Sequence, residues 1–296
     1  MKVGLNIVGV RPEAIVDYAQ AAEELGFESL WSGEHVALPK HDGWWASHPG
    51  TAMFGDKFTE EMVGFTPDSP FLEPLVALSH LAAVTSTIRL GVGVYMLALR
   101  NPVHAARAIA SVDVLSGGRL DLAVGLGWCE QEYTNTGSEW RTRGRRTEEA
   151  IACLRVLFEQ DTPEHHGEFY DFGPIGFGPK PVQRPRLPIH VGGHSRAAVE
   201  RAARVADGWY GSTDLTHVDL VREAVEAAGR GDDPFEFSII TMEGPVDEKR
   251  AGQFAARGVE RVVVTPWPAA HAGSVGIAGL ADVEQCAEAA GLGSSS

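Results

Sequence analysis

The amino-acid sequence predicts a (β/α)8 barrel of the TIM-barrel type that carries two insertions. Short apolar runs alternate with helical patterns along almost all of the 296 residues, and eight such strand–helix units can be counted. Strict alternation implies a parallel sheet, because parallel neighbours need crossover helices. An open doubly wound sheet is the alternative, but the count of eight and the lack of a Gly-rich fingerprint after the first strand favour the closed barrel.

The predicted elements follow one another in order. Eight apolar runs are predicted strands: residues 3–8, 29–32, 88–95, 120–125, 189–191, 209–211, 235–241 and 261–265. The helical patterns cover residues 12–25, 73–84, 102–115, 141–160, 196–205, 248–257 and 282–290. Capping residues support several of these bounds, since Pro12 stands at a permitted first-turn position, Gly26 ends the first helix, and Ser195 is an N-cap.

Two segments are longer than ordinary connections between a strand and a helix. Residues 35–72 follow the second predicted strand at its carboxyl end, where barrel enzymes build their active sites, and contain adjacent tryptophans, histidines and glycines. Residues 161–187 precede the fifth strand, at the other end of the barrel, and are rich in aromatic residues and prolines. We interpret the first insertion as part of the active site and the second as a hairpin-like structural cover or interface arm.

The composition limits the possible partners. The chain is 44% hydrophobic and 22% charged, with a net charge of −15. This acidic balance argues against nucleic acid or an anionic membrane as a partner. No apolar run approaches the roughly 18 residues of a membrane span, so we expect one cytoplasmic domain over residues 1–296. Cys129, Cys153 and Cys286 are far apart, which supports neither a disulfide framework nor a metal site.

The carboxyl ends of the predicted strands, which form the barrel mouth, carry a glycine-rich and partly aromatic set of residues. Hydrolase and metalloprotease motifs are absent from the sequence. Gly192-Gly193 followed by Ser195 puts free backbone N–H groups at a helix N-terminus, which can hold an anion such as a phosphate. An ordinary strand-to-helix turn would use the same residue types. The glycines favour a bulky flat ligand that lies against the backbone, with its phosphate at residues 192–195.

His35 is the candidate acid–base residue, because an unperturbed imidazole titrates near neutrality and the strand end should place it in the barrel mouth. A rim histidine that only forms hydrogen bonds is the alternative. Glu34 should point to the opposite side of the same strand. We interpret five other histidines as ordinary surface residues: His41, His48, His104, His165 and His166.

Four arginines begin the predicted helix 141–160, where positive charge is unfavourable near the positive end of the helix dipole. They either pair with carboxylates such as Glu148 and Glu149 or bind a ligand. The structural role is favoured, since charge runs usually form solvated faces. These arginines are Arg141, Arg143, Arg145 and Arg146.

Four stretches together resemble the luciferase-like monooxygenase superfamily, and most closely its branch of coenzyme F420-dependent oxidoreductases. They are AAEELGFESLWSGEHV, TSTIRLGVGVYMLALRNPVHAARAIASVDVLSGGRLDLAVGLGW, the arginine-rich helix, and GEFYDFGPIGFGPKPVQRPRLPIHVGGHSRAAVERAARVADGW. They occur in the family's order and cover most of residues 12–211. The C-terminal third matches only by the alternation of strands and helices.

The resemblance implies a flavin or deazaflavin in the barrel mouth and hydride transfer at its central ring. His35 matches the histidine that many deazaflavin-using members place near the reactive carbon, and this residue is the expected catalytic one. Gly93 and Val94 match the position of a non-proline cis peptide. The implied cofactor-binding residues are Glu34, His35, Gly93, Val94, Met96, Gly127, Gly192, Gly193, His194 and Ser195.

One departure limits the substrate. Trp128 stands where the sugar-phosphate dehydrogenases of this group carry a catalytic glutamate, so we do not expect a sugar phosphate. We expect hydride transfer between F420 and a small organic substrate that is apolar or contains a carbonyl. An FMN-dependent monooxygenase of the bacterial luciferase type and a non-catalytic flavin- or deazaflavin-binding protein are the alternatives. The expected assembly is a homodimer, with no nucleic acid, membrane or metal as partner.

Overall fold

A computed structural model of the chain describes residues 1–266 and 279–293. Eight parallel strands form a closed barrel in the order β1-β10-β9-β8-β7-β4-β3-β2, which confirms the predicted fold class. The barrel strands are β1 (Lys2–Asn6), β2 (Ser29–Ser32), β3 (Arg89–Tyr95), β4 (Leu120–Val124), β7 (Ile189–Gly192), β8 (Gly208–Ser212), β9 (Glu236–Thr241) and β10 (Arg261–Val264). Two further strands, β5 (His165–His166) and β6 (Asp171–Phe172), pair antiparallel outside the barrel.

The described helices are α1 (Ile15–Glu24), α2 (Pro49–Phe54), α3 (Pro74–Val84), α4 (Pro102–Leu115), α5 (Glu130–Asn135), α6 (Arg143–Glu159), α7 (Arg196–Val205), α8 (Thr216–Ala227), α9 (Glu248–Ala255) and α10 (Leu280–Ala289). They cover the outside of the barrel, except for α2 and α5, which lie in the connections after β2 and β4. Each of the eight predicted strands and seven predicted helices is present within a few residues of its expected bounds. None of these described helices is long and apolar enough to cross a membrane.

Three helices were not predicted. α2 and α5 have six residues each, which is too short for a helical period to be visible in the sequence. The third, α8, buries Val218, Val221 and Val225 on one side. This spacing is a helical signal. The N-cap residue, however, is Leu215, whose side chain cannot accept a hydrogen bond, so the usual N-cap residue type is missing at the start of the helix.

The second insertion forms the predicted hairpin, because β5 and β6 pair with His165 opposite Phe172. Its tip is held by Glu149 of α6, whose carboxylate accepts hydrogen bonds from the N–H groups of Phe169 (2.9 Å) and Tyr170 (2.8 Å). Phe177 of the same insertion is buried in the main hydrophobic core. The insertion therefore covers one side of the barrel, as its interpretation as a structural cover requires.

The interior of the barrel is charged at the amino ends of its strands. Arg261, which is 1% exposed, donates from Nε and Nη2 to both carboxylate oxygens of Glu28 at 2.9 Å. It also forms an ion pair with Glu236, and its Nη2 lies 3.4 Å from Oδ2 of Asp121. Burial alone would raise the pKa of Asp121, but Arg261 and Arg89 outweigh it and hold that pKa below its usual range.

Above this charged layer, toward the carboxyl ends of the strands, the interior is aromatic. Trp31 of β2 stacks on Tyr210 of β8, with ring centroids 4.9 Å apart and planes inclined by 21°. Both side chains are buried and pack with Ala123 and Val263. These rings separate the charged layer from the barrel mouth.

Replacing Arg261 by methionine should destabilise the protein strongly. The change leaves Glu28, Glu236 and Asp121 without their shared cation, and breaking such a buried pair costs about 3–5 kcal/mol. Urea unfolding at neutral pH measures this loss. Arg196→Met is the matched control, because Arg196 is 91% exposed in its pair with Glu200 and should cost less than about 1 kcal/mol. Equal losses in the two variants would contradict the structural role of the network.

Candidate active site at the carboxyl ends of the barrel strands

Glu34 follows β2 and connects it to the end of β3. Its buried carboxylate accepts a hydrogen bond from the Met96 N–H at 2.6 Å and forms an ion pair with Arg100. The Arg100 guanidinium lies 4.1 Å over the ring of Tyr95. Burial raises the pKa of Glu34, although Arg100 and the Met96 N–H oppose that effect. Because both carboxylate oxygens have protein partners, Glu34 fixes the backbone after β3.

His35 points to a different neighbour, as the alternation along the strand predicts. Its Nδ1 lies 3.0 Å from Oε2 of Glu132, which is 0% exposed in α5. The other oxygen, Oε1, accepts hydrogen bonds from the N–H groups of Val36 (2.6 Å) and Ala37 (3.2 Å). Burial would raise the pKa of Glu132, but His35 and these two N–H groups outweigh it and lower that pKa. The carboxylate is therefore a buried anion that holds both the imidazole and the loop after it.

Glu132 is the residue that the sequence analysis missed. It lies four positions, or about one helical turn, after Trp128, the position at which the related dehydrogenases carry their glutamate. The connection after β4 therefore still supplies a carboxylate to the barrel mouth. Glu130 and Glu132 both follow the predicted fourth strand closely. This pair of acidic residues is the feature of the sequence that indicates a carboxylate near the barrel mouth.

Aromatic side chains surround the His35 ring. Its centroid lies 4.7 Å from that of Phe65, 5.3 Å from that of Phe71 and 5.4 Å from that of Trp128. The two phenylalanines belong to the first insertion, which confirms that this segment is folded over the carboxyl end of β2. The side chain of His35 retains 11% exposure. The surroundings of the imidazole are therefore apolar apart from Glu132.

The end of β3 carries the Gly93–Val94 peptide, which is cis, as predicted from the resemblance. Both residues are only half-buried, whereas Tyr95 and Met96 are buried. The Val94 side chain lies against Gly125 and Gly192. A Cβ at Gly192 would come within 2.6 Å of Val94 Cγ1, and one at Gly125 would overlap Cγ2.

Neighbouring side chains therefore leave no room for a Cβ atom at these glycines. Gly93 faces the Tyr210 ring, since a Cβ there would lie 2.5 Å from Tyr210 Cζ, and a Cβ at Gly127 would overlap the sulfur of Met96. Gly127 also has a φ of +68°. We expected these glycines to make room for a flat ligand, but the side chains of Val94, Met96 and Tyr210 account for them without one. Direct cofactor contact by these positions stays a prediction.

The turn between β7 and α7 presents free backbone donors. Gly193 has a φ of +122°, a conformation that favours glycine. Ser195 is the N-cap, and its Oγ accepts a hydrogen bond from the Ala198 N–H at 3.2 Å. Within the described residues, no group accepts a hydrogen bond from the N–H groups of residues 194–197. Such a row of N–H groups at the positive end of a helix dipole suits an anion.

His194 helps to hold this turn. Its Nε2 accepts a hydrogen bond from the Ser212 N–H at 2.9 Å, and Trp209 Nε1 donates to the carbonyl oxygen of Gly193 at 3.0 Å. Burial, then the neighbouring His217, lowers the pKa of His194. The imidazole of His194 thus connects the turn after β7 to the end of β8, with its acceptor nitrogen already occupied.

Glu148 and Glu149, the carboxylates named as examples of partners for the arginine cluster, bind other groups. Glu148 instead accepts hydrogen bonds from Arg201 (3.1 Å) and Arg204 (2.9 Å) of α7. Glu149 holds the hairpin of the second insertion. These carboxylates face α7 and the hairpin rather than the first turn of α6, so they are oriented away from the arginines that precede them.

The arginines of the cluster have other partners. Arg145 forms an ion pair with Glu168, and Arg146 donates from Nε to Thr142 Oγ1 at 2.9 Å. The Arg143 guanidinium lies 3.4 Å over the ring of Trp140, and its buried Nε has no hydrogen-bond partner among the described residues. Burial lowers the pKa of Arg143.

Two of the five histidines that were interpreted as surface residues are half-buried, so that interpretation is wrong for them. His165 lies with Nε2 3.4 Å from Oε1 of Glu149. His48, in the first insertion, stacks on Phe58 with centroids 5.0 Å apart and lies 5.0 Å from Trp128, edge to face. The other three are exposed: His41, His104 and His166. No periodic pattern in the sequence indicates that the insertion folds back on itself.

The chain is similar in sequence to proteins of a known family. The family model described as luciferase-like monooxygenase matches residues 4–250. An uncharacterized protein of Mycobacterium tuberculosis, Rv0940c, is 34% identical over 261 residues, which cover 84% of this chain and 83% of that protein. The FMNH(2)-dependent dimethylsulfone monooxygenase of Pseudomonas putida is 38% identical over 139 residues, which are 46% of this chain and 38% of the enzyme.

A solved structure shares the fold. The F420-dependent secondary alcohol dehydrogenase in complex with an F420-acetone adduct has a TM-score of 0.66 and 18% identity, with 96% of this chain and 83% of that chain covered. At this identity the likeness shows the architecture alone. The match of the family model over most of the chain, with the M. tuberculosis relative, shows that the protein belongs to the luciferase-like monooxygenase family.

Proposed function

We propose that the protein is an oxidoreductase that transfers a hydride between the deazaflavin F420 and a small, uncharged organic substrate. The observation that carries the proposal is the pair of His35 with buried Glu132 in the barrel mouth. A positioned acid–base group of this kind is what hydride transfer to or from a carbon bearing oxygen requires, because a proton moves in the same turnover.

The turn after β7 suits the phosphate of such a cofactor. Gly193 lets the backbone turn, and the unused N–H groups of residues 194–197 would hold the phosphate oxygens. The ring would lie toward the half-buried Gly93–Val94 peptide and His35. When bound, a deazaflavin supplies a carbon that accepts or donates hydride and does not readily activate oxygen. Glu34 contributes by holding Met96 rather than by contact with the ligand.

Glu132 decides which nitrogen of His35 is available. A carboxylate has no hydrogen to donate, so the hydrogen between it and His35 lies on Nδ1. In the neutral imidazole, Nε2 then carries a lone pair that can accept the proton of a substrate hydroxyl. In the protonated imidazole, Nε2–H can return that proton to a carbonyl oxygen.

The substrate should be small and uncharged. Phe65, Phe71 and Trp128 surround His35, and among the described residues no lysine or arginine contacts its ring. A phosphate or carboxylate on the substrate would therefore lie in an apolar site without a cation, which is costly. This agrees with Trp128 in place of the glutamate of sugar-phosphate dehydrogenases.

An FMN-dependent monooxygenase is the second candidate, supported by the 38% identity to the P. putida enzyme over 139 residues. The backbone donors of residues 194–197 would suit the phosphate of FMN equally. Titration of the protein with F420, FMN and FAD separately, followed by calorimetry and absorption spectra of the retained cofactor, distinguishes the two. Binding of FMN without F420 would replace the first proposal by the second.

Replacing Glu132 by glutamine should change the tautomer of His35. The amide oxygen can keep the N–H groups of Val36 and Ala37, and the amide nitrogen then faces Nδ1 of His35 as a donor. Nδ1 must become the acceptor, and the hydrogen moves to Nε2. Nitrogen-15 NMR of the imidazole distinguishes the two tautomers. The exposed Glu130→Gln is the matched control and should leave the tautomer unchanged, and the same spectrum for all three proteins would contradict the role of Glu132.

Replacing Gly193 by valine should weaken cofactor binding while the protein stays folded. A β-branched side chain at a φ of +122° costs roughly 1–3 kcal/mol, and the turn must shift to relieve it. Calorimetric titration with F420 and FMN measures the loss, and circular dichroism checks the fold. Gly176→Val, at an exposed glycine with open space around it, is the control. Unchanged affinity in a folded Gly193→Val protein would remove the turn from the proposed site.

Replacing His35 by alanine should separate binding from chemistry. Cofactor affinity should stay within a few-fold of the wild type, whereas turnover should fall by about 10² to 10⁴-fold, the usual contribution of a positioned acid–base group. Steady-state kinetics on a substrate found by screening, together with cofactor titration, measures both quantities. Loss of cofactor binding would make His35 a ligand contact, and unchanged turnover would show that the proton comes from another group.

A further inference from the structure

His48 is the second histidine beside Trp128, and nothing in the proposed proton transfer uses it. It stands at the N-cap of α2, where its Nδ1 accepts a hydrogen bond from the Gly50 N–H at 3.1 Å. Its ring stacks on the Phe58 ring, with the planes inclined by only 6°, and meets the Trp128 ring edge to face, with the planes inclined by 76°. The orientation of this imidazole is therefore determined by one hydrogen bond and two ring contacts.

The cap determines the tautomer of His48. Because Nδ1 accepts a hydrogen bond, it carries no hydrogen, and the hydrogen of the neutral ring lies on Nε2. Burial, then the charge of nearby His35, lowers the pKa of His48 to about 4. The ring is thus neutral at physiological pH. Among the described residues, no group accepts a hydrogen bond from its Nε2–H.

The Nε2 atoms of His35 and His48 consequently have opposite hydrogen-bonding roles. Both rings contact Trp128, with centroid distances of 5.4 Å for His35 and 5.0 Å for His48. His35 offers a lone pair at Nε2, because Glu132 holds the hydrogen on Nδ1. His48 offers a hydrogen at Nε2, because Gly50 occupies the lone pair on Nδ1. One acceptor and one donor that neighbour the same tryptophan ring match a hydroxyl group, which both donates and accepts.

We propose that His48 is a substrate-binding residue whose Nε2–H donates a hydrogen bond to the oxygen of an uncharged alcohol or carbonyl substrate. This inference rests on the proposed function and extends it by naming the group that recognises the substrate oxygen. In the oxidative direction, oxidised F420 would supply the acceptor for the hydride of the substrate C–H bond, and the O–H proton would pass to His35 Nε2. The product carbonyl oxygen keeps the hydrogen bond from His48 throughout.

The proposal explains why a neutral histidine suits this place. A charged donor would favour anionic substrates, whereas the uncharged Nε2–H binds a neutral oxygen and becomes stronger as negative charge develops on it. The neutral His48 is thus suited to binding the substrate oxygen, whereas His35 is suited to proton transfer. Replacing His48 should therefore reduce recognition of a carbonyl even when no reaction takes place.

A non-reacting ketone tests this directly. Acetophenone labelled with carbon-13 at the carbonyl is bound to protein saturated with oxidised F420, where no hydride is available, and also to protein without cofactor. Infrared difference spectra give the C=O stretching frequency of the bound ketone, and calorimetry gives its affinity. The variants are His48→Phe, which keeps a ring on Phe58, and His48→Asn, whose side chain can still cap α2. His41→Asn, an exposed histidine of the same insertion, is the matched control.

Both His48 variants should raise the C=O frequency relative to the wild type and weaken acetophenone binding about three- to tenfold, the net effect of one hydrogen bond. His41→Asn should match the wild type. A wild-type frequency in both variants, or no saturable acetophenone binding to the wild type, would overturn the proposal. If His48→Asn matches the wild type and only His48→Phe differs, the histidine is a helix cap alone and the proposal is also wrong. Failure of F420 to bind would contradict the proposed function instead, and the cofactor-free samples would still decide the role of His48.

Discussion

The packing of Val94 between Gly125 and Gly192 is the constraint on which the barrel mouth depends. The ends of β3, β4 and β7 meet at this side chain, and a Cβ at either glycine would collide with it. The neighbouring Gly93 gives the same room to Tyr210, whose ring in turn stacks on Trp31. The position of the cis peptide thus follows from contacts that reach across the barrel interior, and close-packed interiors transmit small volume changes.

Glu34 and His35 contact different connections at the barrel mouth. Glu34 reaches Arg100 and the Met96 N–H after β3, whereas His35 reaches Glu132 after β4. Adjacent residues of one strand end therefore position two different connections. One carboxylate supports the backbone after β3, and the other orients the imidazole that we propose as the acid–base group.

The barrel could be predicted because its signals are local. Strand–helix alternation, the Ser195 cap and the glycine that ends the first helix are all visible within a few residues, and the cis peptide followed from a family motif. The pairing of His35 with Glu132 could not be predicted, since 97 positions separate the two residues. His48 was misinterpreted for the same reason: its burial depends on Trp128, which belongs to another connection. Contacts between loops of different strands leave no periodic pattern in the sequence.

The two hydrogen bonds from Val36 and Ala37 to Glu132 have a consequence for motion. They fasten the first residues of the insertion to α5, beneath the aromatic rings that cover His35. Any outward displacement of Phe65 and Phe71 would therefore hinge after Ala37, where the chain is no longer held by this carboxylate. The His35 imidazole would keep its place, because it is bound to the same carboxylate. The insertion thus has a base that is hydrogen-bonded to α5 and an aromatic cover over His35.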